Sequence, residues 1–410
     1  MEEKKERKMR DSGIPWIGEV PEGWEFSKIK YHCTMKSGDN ITALDISDNG
    51  EYPVYGGNGL RGFYKIYNKN GNHILIGRQG ALAGNVHLVN GKFWATDHAV
   101  IVTLKNDVFI NYFFRMLESM NLNQYAFDTA AQPGLSVSRI MNLNIVLPNL
   151  KEQHRIADFL DSKCAEIDTL IENLRARMES VKEYKKAIIT EAVTKGLDKN
   201  AKMKDSGVEW IGEIPEGWKV VRFKHIASIK SNLVQPDKYM KYPQIAPDNI
   251  EKDTGRLLSH QTVEESGIIS GNHLFYCGQI LYSKIRPNLN KLTIAPFDGL
   301  CSADMYPIEP KLPTLFMVYS MLSTYFVSQV SLIIQDRVKM PKINQEELGE
   351  IKVVVPSQQE MLTIADYLDS KCAEIDALLQ NYEDQIATLE EYKKSLIYEY
   401  VTGKKEVPAA

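Results

Sequence analysis

The side chains best suited to chemistry in this chain are cations and amides set beside glycines or at the ends of strand-like runs. Arg78 and Gln79 follow the apolar run ILIG and adjoin Gly80, while Asn58 and Arg61 lie in a glycine-rich loop. Lys284, Arg286, Asn288 and Asn290 follow a second such run, ILYS, and Arg337, Lys339 and Lys342 form a basic cluster further on. Arginine and lysine match the acceptor pair on guanine, asparagine and glutamine match adenine, and all four residue types also bind phosphate. A surface charge or a turn amide is the plainer alternative at each position taken singly. The chemistry in prospect is recognition of a nucleic acid.

Bond-making chemistry finds no matching constellation. Gly57, Gly59 and Gly62 satisfy G-x-G-x-x-G, but Phe63 and Tyr64 stand where a helix should begin and no acidic residue follows about twenty positions on. There is no phosphate-binding G-x-x-x-x-G-K-[ST] loop and no Asn-Pro-Pro-aromatic tetrapeptide of the amino-methyltransferases. The 8 histidines lack metal-ligand spacing, and His98 beside Asp97 reads as a structural pair. Glu183 and Lys185 form an E-x-K that recurs at Glu391 and Lys393, inside long helical patterns. The chain is therefore expected to be no enzyme and to bind no metal or cofactor itself.

The scaffold that must position these residues is duplicated. Residues 11–24 (DSGIPWIGEVPEGW) return as residues 205–218 (DSGVEWIGEIPEGW), and residues 147–171 return as residues 355–379. An internal repeat takes precedence over any local reading. The stretches between the repeated blocks barely resemble each other, so a constant frame carries two different inserts. Each later block opens with a helix-start signature: Asn149 with Glu152, and Ser357 with Glu360. Beyond it apolar residues follow a heptad at Ile167, Ile171, Leu174, Met178, Val181 and Ile188, repeated at Ile375, Leu379, Tyr382, Ile386, Leu389 and Leu396. Glu172, Arg175, Glu179 and Lys182 make the opposite, solvated face. Two helices with one matching seam most simply pair with each other; packing of each on its own domain is the alternative.

The inserts carry short β-rich runs punctuated by Gly and Asn, with helices expected near residues 111–120 and 315–334. The fold class is α+β, a pseudo-twofold repeat in four blocks. Residues 1–146 hold a conserved segment and the first globular domain, and 147–204 the first helical region. Residues 205–354 and 355–410 repeat that order. The starting segment KERKMR resembles the continuation missing after the last helix, so the units are nearly interchangeable around a circle.

Length and composition agree. The 410 residues suit two to three domains. Net charge is −4, but residues 25–146 sum to about +2, residues 219–354 to about +3 and the tail from 355 to about −6. A charged start in place of an apolar signal segment, no run approaching a membrane span, and 5 cysteines without C-x-x-C spacing suggest reduced thiols in a cytoplasmic protein.

Together, the duplicated DSG-x-x-WIGE-x-PEGW blocks and IAD-[FY]-LDSKCAEID helices make the chain resemble the specificity subunits of type I restriction–modification systems. GRQGALAGNV with WATDHAVIV, and YSKIRPNLNK with GLCSADMYPI, are similar to segments of that family's target-recognition domains. The resemblance spans essentially the whole chain. It implies two globular target-recognition domains separated by two long antiparallel coiled-coil helices. Each domain would read one half of a split, asymmetric site on double-stranded DNA, and the helices would set the gap. It also implies two methyltransferase subunits as partners, restriction and translocase subunits where present, and S-adenosylmethionine, ATP and Mg²⁺ bound by those partners. One departure stands out: Gln153 follows Glu152 in the first helix as in the family, whereas Met361 follows Glu360 in the second. The competing reading is a coiled-coil adaptor whose two domains bind something other than DNA.

Overall fold

The computed structural model describes residues 7–80, 83–105, 107–127, 134–337 and 339–408. Lys5 and Glu6 of the starting segment, and Ala81 and Leu82 of GRQGALAGNV, lie outside them. The chain forms two compact units, one of residues 1–174 with 384–410 and the other of residues 175–383. The four sequence blocks are shared out so that each unit takes one insert, the conserved block before it and a portion of both long helices.

In the first unit the insert folds into two small sheets. The strands are β1 (Cys33–Ser37), β2 (Tyr52–Gly56), β3 (Gly59–Tyr64), β4 (Lys69–Asn70), β5 (His73–Gly77), β6 (Val86–Val89), β7 (Lys92–Ala95) and β8 (Ala99–Leu104). One sheet has the order β1-β8-β5-β6 and the other β3-β2-β7-β4. Side chains alternate faces along a strand, and here both faces are apolar. Ile74, Ile76, Val100 and Val102 pack with Tyr112, Phe113 and Met116 of the helix Ile110–Ser119. Leu75 and Ile101 face the other way, onto Phe93 and Ala95 of the second sheet. This first sheet is thus the middle layer.

The second insert repeats this plan with different residues. Its strands are β9 (Ala227–Ile229), β10 (Pro243–Ile245), β11 (Gln261–Thr262), β12 (Asn272–Phe275), β13 (Ile280–Ser283), β14 (Leu292–Ile294), β15 (Gly299–Cys301) and β16 (Met305–Pro310). The sheet orders are β9-β16-β13-β14 and β11-β10-β15-β12, the latter extended by Leu233–Val234. Each strand corresponds to one eight numbers earlier, including the parallel pairs β2 with β7 and β10 with β15. Ile280 and Tyr282 pack towards the helices and Leu281 towards the second sheet. The helix expected across residues 315–334 is in fact two, Thr314–Leu322 and Thr324–Ile334, bent by 59°. Ser323, fully buried between them, turns its hydroxyl back to the Ser320 carbonyl, an interaction that competes with helix continuation. No single helix among the described residues is long and apolar enough to cross a membrane.

The long helices are Leu150–Lys195 and Gln358–Val401. Both start as their capping residues require. The Asn149 side chain accepts from the Glu152 N–H at 3.0 Å, and Ser357 and Glu360 form the reciprocal capping box. Both long helices close with a left-handed glycine seated on tryptophan: Gly196 on Trp218 and Gly403 on Trp24.

Within the first unit the helical portions run antiparallel. Phe159 meets Tyr400 at 4.6 Å between ring centres, and nine residues later Asp168 takes the Lys393 ammonium at 2.7 Å. Within the second unit Lys185 donates to Asp376 at 2.6 Å, and residues 195–197 lie near Gln359 and Glu360. The seam residues Ile167, Ile171, Met178, Ile375 and Leu396 are buried, while Leu174, Val181, Ile188, Leu379, Tyr382, Ile386 and Leu389 are half-buried. The helices also pack on their own domains, through Ile156, Ala157 and Leu160 in the first unit and Ile364, Ala365 and Leu368 in the second. The two sequence alternatives for packing therefore coexist.

The Asp168–Lys393 and Asp376–Lys185 pairs are one contact made twice, and they give the E-x-K lysines their job: fixing helix register. Each pair is half-exposed, so its worth is about 0.5–1 kcal/mol. Reversing Lys393 to Asp should lower the melting temperature by a few degrees, and adding Asp168→Lys should restore most of the loss. Thermal unfolding of the two variants checks this.

Candidate nucleic-acid interface

In the first unit three chain segments converge at one end of the middle sheet. Arg78 is the first residue after β5, and its backbone N–H donates to the His98 carbonyl at 2.9 Å. A Cβ on Gly57 would lie 3.2 Å from that same carbonyl and 3.4 Å from the Gln79 carbonyl, so the glycine lets the β2–β3 turn pack tightly here. Gln79 bridges to Gly134, and Leu135 donates its N–H to the Arg78 carbonyl. Strand ends and turns, not a helix, thus hold this cluster in place.

The side chains face outward. Arg78 and Gln79 are exposed, with one Arg78 guanidinium nitrogen 3.2 Å from the Ser37 hydroxyl. Asn58 is exposed and its carbonyl oxygen accepts from the Asn85 amide at 3.3 Å. Arg61 is exposed on β3, where its side chain lies over Gly56. Gly57, Gly59 and Gly62 belong to this hairpin rather than to a strand-to-helix turn, in keeping with rejection of a dinucleotide site. His98 and Asp97 were expected to form a structural pair. They lie 3.9 Å apart with side chains 45% and 43% exposed, so they barely engage each other.

The second unit builds the same corner from β13. Lys284 is the first residue after it, and its N–H donates to the Asp304 carbonyl at 2.9 Å, repeating the Arg78–His98 link. Lys284 places its ammonium 5.3 Å from the centre of the Tyr306 ring. Arg286 and Asn288 are exposed, and Arg286 adopts a left-handed conformation at φ 43°. The Arg286 N–H donates to the Pro341 carbonyl and Ile285 bridges to Lys342, so the basic cluster from residue 337 folds onto this corner.

Three expected contacts look different in place. Asn290 is 1% exposed and its amide donates to the Met321 carbonyl at 3.1 Å. It ties the loop to the helix behind it and cannot reach a base, which corrects the sequence expectation. Arg337 is engaged by Glu347 and the Lys342 carbonyl, and its hydrogen bond holds the Glu347 carboxyl below the usual carboxylate range. Lys342 is half-exposed and paired with Asp304 at 3.0 Å. Lys339 is exposed. Beneath the corner, burial and then the Lys284 charge push the His273 imidazole towards its neutral form.

Two residues at these corners were not among the sequence candidates: Asp304, and His98, which the sequence reads as a structural partner of Asp97. The available signal was their place just before the strand that follows WATD and CSA, in segments otherwise recognised.

The Gln153–Met361 departure also has a local explanation. Gln153 is buried, accepts from the Phe109 N–H at 2.9 Å and donates to the Pro148 carbonyl at 2.9 Å. Phe109 is the N-cap of the helix Ile110–Ser119; the N-cap of the corresponding helix Thr314–Leu322 is Pro313. Proline has no N–H to donate, so a glutamine at 361 would find no such donor, and the buried Met361 fills the space instead. The alignment is supported about two turns on, where Arg115 reaches Asp161 and Tyr319 reaches the equivalent Asp369.

Comparison with known proteins agrees with this architecture. The family model described as the type I restriction modification DNA specificity domain matches residues 21–180. The EcoDI specificity subunit of Escherichia coli is 32% identical over 287 residues, covering 66% of this chain and 64% of that subunit. The EcoprrI specificity subunit of Escherichia coli is 44% identical over 144 residues, covering 34% of this chain and 35% of that protein. The chain thus spans less than two thirds of these two relatives. The MjaVIII specificity subunit of Methanocaldococcus jannaschii is 27% identical, covering 95% of this chain and 94% of its own. A solved structure from work on assembly and conformational transition of the type I system shares the fold at a TM-score of 0.66 and 15% identity, covering 94% of this chain and 99% of its own. With the duplicated frame and the repeated α+β unit, these matches make the chain similar to the type I restriction enzyme specificity subunits.

Proposed function

We propose that this chain is the non-catalytic DNA-reading subunit of a type I restriction–modification assembly. Each α+β domain reads one half of a bipartite, asymmetric site. The observation that supports this best is a shared strand-end corner bearing different side chains in the two units: Arg78 with Gln79 and Asn58 in one, Lys284 with Arg286 and Asn288 in the other. One geometry with two side-chain sets suits two unlike half-sites, because symmetry of protein and of site go together. Lys339, Lys342 and Arg61 then serve as phosphate or base contacts at the rims of these corners.

The paired helices set the spacing of the half-sites and dock two methyltransferase subunits, with restriction and translocase subunits joining where present. Those partners supply the S-adenosylmethionine, ATP and Mg²⁺ chemistry. The test is to map N6-methyladenine in a host carrying this chain with its methyltransferase. A split motif is expected; methylation that does not depend on the chain overturns the reading. Lengthening both long helices by four residues, about one turn, should alter the spacing and leave the bases within each half unchanged.

Arg78→Ala should cost about 1–3 kcal/mol of discrimination at one base pair of one half-site. Arg286→Ala should do the same in the other half only. Competition binding against single-base variants of the site measures both. Equal weakening on every sequence would make either residue a phosphate contact.

A further inference from the structure

We propose that Asp304 is a base-reading residue of the second domain, taking a hydrogen bond from an exocyclic amino group on cytosine or adenine in the major groove. This rests on the DNA-reading function proposed above and adds a residue that sequence did not single out.

Position is the first support. Asp304 immediately precedes β16, and its carbonyl takes the Lys284 N–H at 2.9 Å. His98 immediately precedes β8 and takes the Arg78 N–H with the same geometry. Both side chains are substantially exposed, Asp304 at 36% and His98 at 45%. The two domains thus share one backbone arrangement and present a carboxylate in one and an imidazole in the other. A position that a fold constrains only through its backbone is free to carry whichever side chain a given base requires.

Charge is the second support. Asp304 stands between Lys284, whose N–H its carbonyl takes, and Lys342, ion-paired to it at 3.0 Å. A carboxylate facing a polyanion weakens binding on every sequence, because the phosphate field is sequence-independent. Its compensation is specificity: Asp and Glu accept from the cytosine amino group, a donor that guanine and thymine do not present in the major groove. A carboxylate offers about four acceptor sites, so the bond to Lys342 leaves room for a base. That bond also anchors the carboxylate, since Lys342 is tied to the corner through the bridge at Ile285.

The experiment is selection of bound duplexes from a randomised pool by the full chain assembled with its methyltransferase, comparing native protein with Asp304→Asn and Asp304→Ala. Asn is nearly isosteric and keeps one acceptor oxygen, which guards against a folding defect. The proposal expects native protein to select a bipartite motif. Asp304→Ala should broaden one position of one half-site by roughly tenfold or more in discrimination, and Asp304→Asn should alter that position alone. If both variants keep the native motif and bind all sequences alike more tightly, Asp304 acts only through its charge and the proposal is overturned while the DNA-reading function stands. If native protein selects no motif, the DNA-reading function itself falls.

Discussion

Replacing Gly38 by alanine should destabilise the first unit by about 3 kcal/mol or more and erase recognition of one half-site while leaving the other intact. Gly38 follows β1 and donates its N–H to the Ala99 carbonyl at 3.0 Å. A Cβ there would fall 2.1 Å from the Ala95 carbonyl oxygen and 2.6 Å from that of Thr96. These are backbone atoms, so no rotamer change relieves the clash; the segment from Ala95 to His98 must move. That segment holds the Arg78 N–H through His98, so the damage reaches the interface directly. Thermal unfolding should show a drop of roughly 10 °C, and the selected motif should lose one half. An unchanged melting temperature with an intact motif would mean that the close approach of these backbones is not needed.

Exchanging the residues at the two helix starts should harm both units, despite their shared fold. Gln153→Met leaves the Phe109 N–H and the buried Pro148 carbonyl without the partners they now have. Two such groups cost about 2–4 kcal/mol together. Met361→Gln puts an amide into an apolar site next to Pro313, which has no N–H to offer; about 2 kcal/mol is expected. Denaturant unfolding of the two single variants decides the matter. Should Met361→Gln prove neutral, a polar group must be within reach of that side chain, and the proline explanation fails.

These cases mark where sequence was sufficient and where it was not. The long helices were legible because heptad spacing and capping residues are local signals, and both copies carried them. The β-rich inserts were legible only as a class: strand order depends on contacts distant in sequence, such as β1 beside β8. Arg78 and Lys284 stood out because each follows an apolar run and adjoins a turn. Asn290 had the same local signature yet turns inward, where its amide donates to the Met321 carbonyl of the helix behind it. The corner positions of His98 and Asp304 were overlooked because the contact that places them, a backbone bond to a residue some twenty positions away, leaves no mark in side-chain type. The break at Ser323 likewise went unseen: its neighbours are apolar enough to pass for one helix.

The first unit is assembled from two stretches far apart in sequence, residues 1–174 and 384–410. The buried Tyr112 hydroxyl finds its acceptor at the Val401 carbonyl, 289 residues later, and Leu396, Ile397 and Tyr400 complete the same core. During translation the amino-terminal half therefore emerges first but matures last. It must wait, with its apolar interior incomplete, until residues 384–410 have been made, whereas residues 175–383 are synthesised as one uninterrupted stretch. Birth order and folding order run in opposite directions, so a stop before Leu396 should cripple the portion made earlier.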